Sequence, residues 1–180
     1  MPAKKSPLRI LAAAAIVVVG AGLVICTYAL GLDNQSVTGR DYIQYWAAER
    51  LLAVGSNPYD PALILREQQA AGMTDPAPKV TLSPPVAFFF ALPLGFMSAK
   101  TGLIAWLLVS LVCLGLSIRL LWIEFGRPTT GYHLIGLCFP PALACLMAGQ
   151  LGIFFLLGLL VGVGLALASV FIFLGKVLPK

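Results

Sequence analysis

The residues with chemical potential are few, and most crowd into one stretch. Between positions 33 and 83 stand Arg40-Asp41, Tyr45-Trp46, Asn57-Pro58-Tyr59-Asp60, Lys79 and Ser83-Pro84-Pro85; far downstream comes Gln150. Asp41 sits at the start of a helical pattern, where a carboxylate accepts free backbone N–H groups, so spacing alone makes it a helix cap. Asp60, followed by Pro61, is a cap on stronger grounds. Tyr45 and Trp46 suit the membrane–water boundary as anchors, or a sugar ring as a platform. Arg40, Arg50, Arg66 and Lys79 are loop cations able to grip a lipid phosphate. Gln150 lies in an apolar stretch, where an amide belongs at a span end or facing a polar cavity. The stretch 33–83 holds no His or Cys and its carboxylates are widely spaced, so no metal site is expected. The single histidine, His133, reads as a helix-end residue.

The elements that position these groups follow from an extreme composition. The chain is 59% hydrophobic and 11% charged, with mean hydropathy +0.94. Soluble domains carry roughly a quarter charged residues, so a water-soluble enzyme is excluded. The net charge of +5 lies mostly at the termini and short connections, which marks topology and lipid headgroups rather than nucleic acid. Cys26, Cys113, Cys138 and Cys145 all lie in apolar segments, so no disulfide framework is indicated.

The pattern therefore predicts an all-α integral membrane protein, a polytopic bundle of about four to five spans with amphipathic surface helices in its first external loop. Residues 1–9 carry Lys4, Lys5 and Arg9 and form a cytoplasmic N-terminus by the positive-inside rule; 10–32 is the first span. Residues 33–83 form the extracytoplasmic loop. Within it Tyr42 to Val54 has helical apolar spacing ended by Gly55, and Ala62 to Ala71 forms a second helix ended by Gly72. Both are expected to lie on the membrane surface. Residues 84–98, broken by Pro93 and Gly95, form a re-entrant or short membrane helix. Spans follow at 101–123, at 132–147 with a Pro140-Pro141 kink, and at 151–174, before a tail at 175–180. Gly158 and Gly162 form a G-x-x-x-G pair that permits close helix packing. The expected location is the cell membrane, multi-pass.

The order of the short motifs carries a resemblance. Asp41-x-x-x-Tyr45-Trp46-Ala47-Ala48 precedes Leu51-Leu52-x-x-Gly55-x-Asn57-Pro58-Tyr59-Asp60. Ser83-Pro84-Pro85 then runs into Leu92-Pro93-Leu94, and Ala148-Gly149-Gln150 comes last. This series, over Ile10 to Leu160, resembles glycosyltransferase family 87, polytopic C-fold enzymes that include polyprenyl-phosphomannose-dependent mannosyltransferases. The resemblance implies transfer of a hexose, mannose in particular, from a polyprenyl phosphate carrier to an extracytoplasmic acceptor hydroxyl on a glycan or glycolipid. It puts the family's essential aspartate at Asp41, as general base, with inversion by single displacement. The leaving phosphate needs cations, which the family motif does not fix and which Arg40, Arg50 or Lys79 could supply, and Tyr45, Trp46, Tyr59 and Gln150 would contact substrate. No cofactor or metal is implied; the partners are membrane lipid, donor and acceptor, and no nucleic acid.

Two departures qualify the match. Family members usually have an aromatic residue before the double proline, where this chain has Ser83. They are also generally longer, with further spans after the glycine–glutamine turn, so the chain is expected to be an N-terminal fragment, a truncated member, or one part of an enzyme completed by a second polypeptide. The alternatives are a non-catalytic membrane subunit of the same fold and a small transporter or channel component. A transporter would usually carry buried charges in its spans or an internal repeat, and neither is evident.

Overall fold

The computed structural model describes residues 33–126, 136–137 and 139–177, and among them every regular element is helical. In chain order these are α1 (Asn34–Thr38), α2 (Tyr42–Ala53), α3 (Pro61–Ala70), α4 (Pro85–Ala91), a 3-10 turn (Leu92–Phe96), α5 (Ala99–Leu121), α6 (Pro140–Ala148) and α7 (Gly152–Val177). A π-helical turn, Trp122–Gly126, continues α5.

The helix ends have local causes. The Asp60 carboxylate accepts hydrogen bonds from the backbone N–H groups of Ala62 (2.9 Å) and Leu63 (3.2 Å) at the start of α3. Ser98 Oγ accepts from Thr101 N–H and caps α5. Double prolines open α4 and α6, where their missing N–H groups cost no helix bond. Gly55, Gly72 and Gly149 take φ of +72°, +101° and +71° just past α2, α3 and α6, a left-handed conformation that favours glycine.

Two apolar clusters hold the helices together. The larger gathers Tyr42, Ile43, Trp46, Ala47 and Leu51 of α2 with Ile64, Leu94, Leu103 and Trp106. The second joins Leu114 and Ile118 of α5 to Leu146 and Ile153. Backbones approach closely where glycine allows it. A Cβ on Gly95 would collide with the Glu49 carbonyl oxygen, and one on Gly102 with the Tyr42 hydroxyl.

The expected bundle of about four to five spans is corrected by these elements. Among the described residues one helix, Ala99–Glu124, is long and apolar enough to cross a membrane. Residues 84–98 divide into a seven-residue helix and a 3-10 turn because Pro93 breaks the ladder, and the turn packs on α2. In the expected 132–147 span, the described helix starts only at Pro140 and has nine residues. In α7, Gly152–Ala166 ranks as a shorter apolar helix. The expected 10–32 span and 1–9 tail lie outside the described residues.

The amphipathic surface helices are also corrected for α2. Tyr42, Ile43, Trp46, Ala47, Ala48, Glu49 and Leu51 are all buried, because the 3-10 turn, α3, α4 and α5 pack around the helix. It is a core element, not one lying on lipid.

Glu49 makes that burial costly. It is fully buried, and neither carboxylate oxygen has a hydrogen-bond partner. Loss of hydration pushes its pKa up from 4.5 to about 8. Between those values the unfolded chain has released the proton and the folded chain keeps it. Stability therefore falls as pH rises through that window, by about 1.4 kcal/mol per pH unit, and levels off above it. Glu49→Gln is expected to remove this slope in thermal unfolding of the detergent-solubilised protein followed from pH 4 to 9.

Candidate functional site

The site is built where the junction of α1 and α2 meets the end of α6. Asp41 N–H donates to the carbonyl of Ala148 at 2.9 Å, and the Arg40 guanidinium donates to the carbonyl of Met147. Arg40 Nε also donates to the Ser36 carbonyl at 3.1 Å. Past the helix end, Gly149 lies so close to Tyr42 that an added Cβ would come within 2.7 Å of the Tyr42 Cβ. Gln150 Nε2 then donates to Asp41 Oδ2 at 2.7 Å.

Asp41 differs from Asp60 in how its carboxylate is used. Asp60 spends it on two backbone N–H groups, whereas Asp41, although it precedes α2, makes no cap hydrogen bond. Its backbone is already helical (φ −65°, ψ −24°), whereas a capping residue takes the extended conformation of Asp60 (φ −73°, ψ 114°) that swings the side chain over the helix start. The Asp41 carboxylate instead lines a cavity of about 470 Å³ with Gln44, Tyr45, Thr81, Ser83 and Gln150. This is within the roughly 300–1,000 Å³ of small-ligand sites. Val80, Leu82, Pro84, Leu151, Gly152 and Phe155 complete the walls, and Leu82 and Phe155 are largely exposed.

The wall opposite α2 is an extended segment tied down at both ends. Gln68, fully buried on α3, donates through Nε2 to the Lys79 carbonyl (2.7 Å) and accepts from Lys79 N–H (3.0 Å). Tyr59 Oη donates to the Ser83 carbonyl at 2.8 Å, and the Asn57 side chain holds the Tyr59 N–H. Tyr45, which lines the cavity, is held from behind by Trp106 of α5: the two rings stack with centroids 5.4 Å apart, and Trp106 meets Phe154 of α7 at a tilt of 59° (4.9 Å). Burial, and then the Asp41 charge, push the Tyr45 phenol pKa up, so Tyr45 keeps its hydroxyl proton at neutral pH.

Comparison of the chain with protein-family models, with curated proteins and with solved structures yields no match.

The candidate residues read from the sequence thus separate. Asp41, Tyr45 and Gln150 line the cavity. Trp46 does not; it is buried in the core, donates Nε1–H to the Met97 carbonyl and carries the Arg50 guanidinium over its ring. Tyr59 acts on the wall through Ser83. Arg40 and Lys79 are engaged with backbone: Lys79 Nζ donates to the carbonyls of Thr38 (2.9 Å) and Gly39 (3.0 Å) at the end of α1. Desolvation by burial lowers the Arg40 pKa from its ordinary value. Arg50 donates to the Gly95 carbonyl and approaches Glu67 at 3.6 Å. No cation stands among the described residues that line the cavity. Gln44 and Thr81 were not singled out from the sequence; Gln44 is legible only as the residue before Tyr45 on one helix turn. Among the described residues no group of three His, Cys, Asp or Glu side chains is placed to hold a metal.

Gly149 carries both a left-handed backbone and a close approach. Gly149→Ala is expected to lower unfolding stability in detergent by about 2 kcal/mol or more. Gly158→Ala, whose Cβ would meet nothing within 4 Å, is expected to cost nothing and serves as the comparison.

Proposed function

We propose that this chain is a membrane glycosyltransferase resembling family 87. It moves a hexose, mannose in particular, from a polyprenyl phosphate carrier to an acceptor hydroxyl on a glycan or glycolipid, with inversion. The observation that supports this reading is the uncapped Asp41 carboxylate, held by Gln150 in a cavity walled by amides, hydroxyls and aromatic rings. Amides and hydroxyls offer the paired donors and acceptors that sugar hydroxyls need, and Tyr45 offers a ring face.

In the proposed step, Asp41 takes the proton from the acceptor hydroxyl as its oxygen attacks the anomeric carbon. The bond from that carbon to the phosphate oxygen breaks, and the phosphate leaves with the electron pair, so no general acid is required. The exposed Leu82 and Phe155 at the cavity give a lipid-borne substrate an apolar approach. The matching placement is the cell membrane, with the N-terminus cytoplasmic and the 33–83 segment outside; one helix long and apolar enough to span a membrane accords with it. No cofactor beyond the lipid-linked donor takes part.

A second reading rests on the cations. Arg40 and Lys79 bind backbone carbonyls rather than face the cavity, which leaves a departing phosphate without a counter-charge from the described lining. This favours a non-catalytic membrane subunit.

Membranes containing the chain, supplied with radiolabelled polyprenyl phosphomannose and an acceptor glycolipid, are expected to transfer label. Asp41→Asn is expected to reduce transfer by about a hundredfold or more. Transfer that survives the substitution would remove Asp41 as base. Stable inserted protein with no transfer would select the second reading.

A further inference from the structure

The amide of Gln150 has two chemically opposite ends, and which one faces Asp41 decides whether the contact attracts or repels. Nε2 donates to Asp41 Oδ2 at 2.7 Å. A flipped amide would set Oε1, an acceptor, against a carboxylate that is also only an acceptor. The other end has its own partner: the Cys145 thiol donates to Gln150 Oε1, with Sγ 3.7 Å away. The two residues are also joined through backbone, Gln150 N–H to the Cys145 carbonyl at 2.9 Å. Behind the sulfur lies Gly152, where an added Cβ would come within 3.2 Å of Sγ, so the thiol is seated between Gln150 and the start of α7.

We propose that Cys145 is a positioning residue, whose thiol keys the Gln150 amide so that its NH2 end faces Asp41 and holds that carboxylate in the cavity. As a role in catalysis this rests on Asp41 being the base; as a structural statement it does not. The thiol neither lines the cavity nor needs to react. Serine at 145 keeps a donor, on a shorter bond that a small shift of the Gln150 side chain takes up, whereas alanine removes it and leaves the amide held at its NH2 end alone.

The test is the side-chain NH2 signal of Gln150 in full-length chain labelled with ¹⁵N-glutamine, in detergent micelles, assigned by its loss in Gln150→Leu. One of its protons is expected downfield through the carboxylate contact. Asp41→Ala and Cys145→Ala are both expected to move that proton toward the free-amide position, and Cys145→Ser to leave it in place. A Cys145→Ala spectrum that superposes on the wild type while Asp41→Ala moves the signal would overturn the proposal, as would a signal that Asp41→Ala does not move. Where transfer is measurable, Cys145→Ala lowers kcat about tenfold with KM unchanged, and Cys145→Ser restores it. A chain without transfer activity counts against the transferase reading alone, because the spectrum reads the amide with or without catalysis.

Discussion

The last turn of α6 presents carbonyls that no later turn of its own helix can bond, and the α1–α2 junction supplies their partners. Met147 and Ala148 receive the Arg40 guanidinium and the Asp41 N–H, and Gln150 returns a donor to the Asp41 carboxylate across a separation of 109 residues. Helix ends carry unsatisfied groups by construction, and burying them without partners costs about 1–3 kcal/mol each. The pairing removes that cost on α6 and fixes Asp41 in the same act. Gly149 is what lets the two backbones come together, since any side chain there would strike Tyr42.

The rest of the core transmits this fixed point. Tyr42, one residue past Asp41, is buried against α5 at Gly102, and its ring meets Trp106. Trp106 reaches Tyr45 on one side and Phe154 of α7 on the other. The helix that is long and apolar enough to span a membrane thus supports Tyr45, a lining residue, through the Trp106 ring. Burial here leaves several polar atoms without protein partners, among them Tyr42 Oη, Trp106 Nε1 and both Glu49 oxygens. Apolar contact has to outweigh these, and the raised pKa of Glu49 lessens its share by favouring the uncharged carboxyl.

The opposite wall shows how cations and amides are used in this fold. Gln68 clips both backbone polar groups of Lys79, while the Lys79 ammonium closes the end of α1. Cations near a helix C-terminus meet its negative end, so Lys79 and Arg40 both stabilise helix ends next to the cavity. The same contacts draw their charge away from any substrate phosphate, a tension between architecture and chemistry that the two functional readings divide on.

By itself the sequence determined what local rules govern. Asp60-Pro61 starts α3, and Gly55 and Gly72 end α2 and α3, because capping and left-handed backbone depend on a few adjacent residues; Pro140-Pro141, read as a kink inside a span, instead opens α6. It also marked Gln150 as an amide out of keeping with its apolar stretch, and named Asp41 and Tyr45 among its candidates. Tertiary structure alone decided that Asp41 is not a cap, that Trp46 is core, and that Arg40 and Lys79 bind carbonyls. Each of these depends on a partner far along the chain: Gln150 for Asp41, Met97 for Trp46, Met147 and Thr38 for the two cations. Hydropathy likewise registered apolar residues without distinguishing those that cross a membrane from those, as in α2, that a neighbouring turn and helices enclose; periodicity reports that a face is apolar and not what covers it.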